Sequence, residues 1–74
     1  VTINVGDTVN FDVDAPGHPF YLKTLAGTGT GNTINNVSNN GTTNQIVSWT
    51  PDTAGTYYYQ CSYHGGMVGS IIVQ

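Results

Sequence analysis

The sequence predicts an all-β fold, a small β-sandwich or barrel of about six short strands. Three observations carry this. Apolar residues alternate with polar ones at period 2 in several short runs, the pattern of half-buried strands. Turn signals rich in Gly, Pro and Asn separate the runs. Ala, Glu, Lys and Leu are scarce, which starves a helix of its usual formers, and no stretch shows a helical period.

The elements follow in order. Val1, Ile3 and Val5 alternate with polar residues, Gly6-Asp7 interrupts, and Val9, Phe11 and Val13 resume the pattern. Ala15-Pro16-Gly17 reads as a turn. His18 to Leu25 reads as a strand, with Phe20 and Leu22 on one face and Tyr21 and Lys23 on the other. Ala26 to Asn44 reads as a long loop. It holds Gly27, Gly29, Gly31, Gly41 and five Asn between positions 32 and 40, with Ile34 and Val37 as its apolar anchors. A short strand or turn is expected near Ile34 to Ser38, and Asn40-Gly41 is a turn signal. The Gly-Thr-Gly-Thr-Gly stretch at 27–31 opens no helix, so it reads as flexible linker rather than a phosphate cradle.

Gln45 to Thr50 is a strand carrying Ile46, Val47 and Trp49, and residues 51–55 form a turn. Thr56 to Cys61 is a strand with Tyr57, Tyr59 and Cys61 on one face. Tyr57 resembles a tyrosine placed at a sandwich corner, whose hydroxyl bonds back to the chain. Val68 to Gln74 is the last strand, with Ile71 and Val73 inward and Ile72 outward.

Length and charge narrow the function. The 74 residues, 7.8 kDa, make one domain spanning 1–74. A chain this short buries roughly 60% of its unfolded surface, so its core is thin and calls for a disulfide, a metal or a partner. Cys61 is the only cysteine, which excludes a disulfide within the chain. Charged residues make up 7%, namely Asp7, Asp12, Asp14, Asp52 and Lys23. One base and a net charge of −3 argue against a nucleic-acid partner. No run of about 18 apolar residues is present to span a membrane as a helix. The chain starts at Val1 without an initiator Met or signal peptide, so it reads as a mature or excised piece of something longer. The expected setting is extracytoplasmic: periplasmic, secreted, or on a surface or virion. A lone Cys in such a protein needs a chemical explanation.

The segment Cys61-Ser62-Tyr63-His64-Gly65-Gly66-Met67 supplies one. It places a thiol, an imidazole and a thioether in the tight connection between two strands. Taken singly, each such residue is ordinarily packing or an idle surface group. Together they are the soft donors that suit copper, and one Cys, two His and a weak axial Met form the set of a blue-copper centre. The second histidine is His18, which a sandwich can bring to the same end. Zinc fits less well, because a structural site wants four Cys or His ligands and three are present. Cys61 and His64 lack an orienting carboxylate or amide nearby in sequence, and paired carboxylates are absent, so the sequence does not read as an enzyme.

The run from Ala54 to Val73, with Gly55-Thr56-Tyr57, Cys61-x-x-His64-x-x-Met67 and Met67-Val68-Gly69 before the last strand, closely resembles the copper-binding end of the cupredoxins, the plastocyanin and amicyanin group. Val5-Gly6-Asp7-Thr8-Val9 is similar to an early strand of that family, and Gly17-His18 to its upstream histidine. The chain also resembles short cupredoxin-like domains of marine bacterial and phage proteins. The resemblance implies a Greek-key β-sandwich and one type 1 copper ion held by His18, Cys61, His64 and Met67. It implies a one-electron carrier cycling Cu(II)/Cu(I), with a redox partner docking near His64. Two departures stand out. Pro19 occupies the place where many members carry a bracing Asn, and the chain begins at the family's second strand, leaving the first missing or supplied by another chain.

The rival expectation is a structural or assembly domain of a surface or virion-associated protein, its copper site structural or unused. The alternation puts Tyr21, Tyr58 and Ile72 on outward faces, and an open edge invites self-assembly or strand addition from another chain.

Overall fold

The computed structural model describes residues 1–74, which form six strands and no helix. The strands are β1 (Thr2–Ile3), β2 (Val9–Asp12), β3 (Phe20–Lys23), β4 (Ile46–Trp49), β5 (Gly55–Cys61) and β6 (Val68–Val73). Four of them make one sheet in the order β1-β6-β5-β3, and β2 pairs with β4 in a second. The β1–β6 ladder is parallel and the other three are antiparallel. From β2 to β5 the chain alternates between the two sheets, so each connection crosses from one to the other. The molecule measures 31 × 21 × 19 Å, and no helix is long and apolar enough to cross a membrane.

The core draws on both sheets. Leu22, Ile71 and Val73 come from the larger sheet, Val47 and Trp49 from β4, and Val13 from just beyond β2. The period-2 rule holds on β6, where Ile71 and Val73 are buried and Ile72 is exposed. Each fully buried side chain of this size contributes roughly 1.5–3 kcal/mol. Aromatic rings extend the core: Trp49 meets Tyr57 edge-on at 4.9 Å, and Phe11, Phe20 and Tyr59 cluster at 5.2–5.9 Å. The Tyr57 hydroxyl donates to the Thr53 carbonyl at 2.8 Å, which ties the start of β5 to the turn before it, as expected for a corner tyrosine.

The first and third strands are shorter than the alternation predicts. β1 pairs with β6 only at Thr2 and Ile3. The Asp7 amide then donates to the Asn4 carbonyl and the Gly6 amide to Pro51, bending the chain across to the second sheet. Val1 and Val5 are therefore exposed. β3 ends at Lys23, and Leu25 is exposed.

The larger difference lies between Thr24 and Gln45. The segment carries no strand, but it is fastened rather than free. It touches the sheets through isolated bridges at Phe20–Thr42, Lys23–Thr33 and Ser38–Ser48, and Ile34 and Val37 pack on the core as anchors. The Asn40 side chain imitates a strand: its Oδ1 accepts from the Leu22 amide and its Nδ2 donates to the Leu22 and Ile34 carbonyls. That closes the outer edge of β3.

Lys23 shares the outer face of β3 with Tyr21, but that face is covered. Lys23 is 2% exposed, and its ammonium donates to the carbonyls of Gly27 at 2.7 Å and Gly29 at 3.1 Å. An ammonium this deeply buried must spend its donors on acceptors, and the glycine stretch bends over it to supply them. The 27–31 segment is thus a strap, not a linker. Tyr21 is half-buried, its ring lying where a side chain on Gly41 would sit, only 2.6 Å from an added Cβ. Tyr58 is half-buried as well.

Candidate metal centre

Three local features place three donors at one point. The β5–β6 pairing continues past the strands, because the Cys61 amide donates to the Met67 carbonyl at 2.9 Å. Within that closed loop the Met67 amide donates to the His64 carbonyl at 3.1 Å, a tight turn that brings His64 back over Cys61. On the other side β3 pairs with β5 so that Phe20 lies opposite Cys61. The Ser62 amide extends that ladder by donating to the Pro19 carbonyl. His18 therefore arrives beside the thiol. The turn before it is built from Pro16 and from Gly17 at φ +78°, and the His18 amide closes it on the Ala15 carbonyl at 2.9 Å.

The three side chains meet through their Nδ1 and Sγ atoms. Cys61 Sγ lies 3.5 Å from His64 Nδ1 and 3.7 Å from His18 Nδ1, and the two nitrogens are 3.2 Å apart. Three atoms at these separations lie on a circle of about 2.0 Å radius, which is the length of a bond from imidazole nitrogen to a metal ion and slightly short of one from thiolate. In the metal-free protein, one imidazole can donate its Nδ1–H to the other ring. The two rings tilt at 48° with centroids 4.8 Å apart. Cys61 is buried, His18 half-buried and His64 exposed, so the cluster sits just under the surface with one imidazole facing solvent.

Met67 lies nearby. It lines a cavity of about 350 Å³ together with His18, Cys61, Phe20, Tyr59 and three smaller residues, Ala15, Gly66 and Val68. The wall is mostly apolar, and its polar members are the candidate ligands themselves. The structure thus brings His18, Cys61 and His64 into direct contact and puts Met67 on the cavity that His18 and Cys61 line. No charged side chain lies in the loop from Cys61 to Val68.

The donor set fits a soft or borderline ion. One thiol and two imidazoles converge at bonding separation from a common point, and such a set excludes magnesium and calcium, which want oxygen. Compared with protein-family models, curated proteins and solved structures, the chain has no significant match.

Two residues that hold this site were not singled out from the sequence. Gln60, 1% exposed, points away from the core beneath the glycine strap. Its Oε1 accepts from the Gly27 amide, and its Nε2 donates to the carbonyls of Cys61 and His64 at 3.0 Å each. Lys23 fastens the strap from below. The signals were faint: an amide just before the ligand cysteine, and the only base of the chain inside a strand, four residues before a run of alternating glycines.

Proposed function

We propose that the chain is a copper-binding electron-transfer domain of the cupredoxin kind, with a type 1 site formed by His18, Cys61, His64 and Met67. The observation that carries it is the Cys61, His18 and His64 triangle, whose three donors lie at metal-bonding distance from one point. Copper bound there supplies a one-electron Cu(II)/Cu(I) couple. The protein's part is to hold the donors. Cys61 contributes the thiolate from a buried position. His18 and His64 turn their Nδ1 atoms inward. Met67, on the cavity wall, would be the fourth and weakest donor to a bound copper.

The all-β frame in two sheets, with connections that cross between them, supports the Greek-key reading. His64 is the exposed ligand, and Tyr63, Met67 and Val68 around it are exposed and uncharged. A redox partner would dock there, and in the extracytoplasmic setting expected for the chain a bound metal would account for the unpaired thiol.

The test is voltammetry of the copper-loaded protein. A reversible one-electron wave is expected, and it is lost in Cys61→Ser. Electron transfer to a partner is expected to depend little on salt, because the loop that carries the exposed imidazole holds no charged side chain. An irreversible wave, or one that survives Cys61→Ser, would remove the electron-transfer reading.

A further inference from the structure

The ligand loop is held by a buried polar network that touches no ligand atom. Gln60 Nε2 donates to the carbonyls of Cys61 and His64 at 3.0 Å and approaches that of Gly65 at 3.5 Å. Its Oε1 accepts from the Gly27 amide at 3.1 Å. The Gly29 amide donates to the Ser62 carbonyl at 2.8 Å. The Lys23 ammonium holds the carbonyls of both glycines. The three layers are thus Lys23, the 27–29 strap, and the loop from Cys61 to Gly65. Every buried side-chain nitrogen and oxygen in the molecule has a partner.

We infer that Gln60 is the positioning residue of the metal centre, and that Lys23 and the glycine strap lock it in place. The inference deepens the copper reading and rests on it only for the identity of the ion. His64 stands on a loop flanked by Gly65 and Gly66, with solvent on one side, and a two-glycine loop has little stiffness of its own. One amide grips the carbonyl of the buried ligand Cys61 and that of the exposed ligand His64. The backbone that carries the two donors is therefore held by Gln60 as well as by any ion. Pro19 has no amide hydrogen to give, and it takes part only by accepting from Ser62. The bracing comes instead from the opposite face of β5, through the residue next to the ligand cysteine. Lys23 matters because Gln60 cannot hold the loop unless Gly27 stays over it. A buried ammonium bonded to two carbonyls of the strap resists its lifting, since lifting would leave the charge without partners.

Amide hydrogen exchange and ¹⁵N relaxation on the metal-free protein test this. In the wild type the Gly27 and Gly29 amides are expected to exchange at least about 100-fold more slowly than in an unstructured chain, although both glycines are exposed. Residues 62–66 are expected to show strand-like order parameters, near about 0.85. In Gln60→Met, which keeps the volume and removes the donors, the same residues should fall towards about 0.6 while β5 and β6 keep theirs. Lys23→Met should reproduce the loosening without altering Gln60. In the copper-loaded protein both variants should shift the thiolate-to-copper band and the reduction potential, whereas Tyr57→Phe, a remote stability change, should move neither.

Rapid exchange at Gly27 and Gly29 in the wild type overturns the proposal without any variant having to fold. So does a Gln60→Met protein with unchanged loop order and an unchanged band. A wild type that shows no thiolate band with copper counts against the copper reading alone, because the exchange and relaxation results decide the brace independently.

Discussion

Gly17 shows how one backbone angle serves the site. It sits at φ +78° in the turn whose last residue is His18, and an added Cβ would meet nothing within 4 Å. A substitution there is thus penalised by conformation alone. Gly17→Ala is expected to lower stability by about 1–2 kcal/mol through the left-handed backbone, and the check is urea unfolding of the metal-free protein. An unchanged midpoint would mean that the turn relaxes and that His18 is not held by it. The candidate ligands were legible in the sequence because they are scarce: one Cys, one Met and two His, three of them within seven residues. Lys23 and Gln60 were not. Period-2 alternation says that both point away from the core, and it carries no information on whether water or a covering loop waits there. A polar residue on the outer face reads as solvated until the loop above it is known.

Among the elements, the β5–β6 hairpin decides the geometry, and one glycine decides how closely its strands carry their side chains. Tyr59 faces Gly69 across the ladder, and the Tyr59 ring occupies the space a side chain on Gly69 would need. The same ring lines the cavity beside Cys61 and packs on Phe11 and Phe20. Gly69→Ala is therefore expected to cost about 1–3 kcal/mol by overpacking and to displace the Tyr59 ring. Urea unfolding measures the first effect and the Tyr59 ring resonances the second. Neutral stability with an unmoved ring would contradict the packing described for this hairpin. The six strands were legible because alternation and turn chemistry act locally, and Val47, Trp49, Ile71 and Val73 fall where the pattern puts them. The strap was not, because its order comes from backbone hydrogen bonds to Lys23, Gln60 and Ser62, and a Gly-Thr repeat gives no periodic sign of such partners. The short β1 escaped for a related reason: its partner β6 lies at the far end of the chain.

At the scale of the whole molecule, a thin core and a candidate metal centre would support each other. The six-residue buried cluster sits in the middle of the sandwich, whereas the donors gather at the end where the β2–β3 and β5–β6 connections meet. An ion bound by the folded chain and not by the unfolded one adds stability in proportion to the logarithm of its concentration over its dissociation constant. The strand register, the His64 turn and the amide of Gln60 bring the donors together. The triangle of Cys61, His18 and His64 is proposed to be a copper–thiolate site. The most direct measurement is the visible absorption spectrum on adding one equivalent of Cu(II) at neutral pH, with circular dichroism confirming the fold. An intense thiolate-to-copper band that saturates at one equivalent and disappears in Cys61→Ser is the predicted result. Folded protein that gives no such band would contradict the claim.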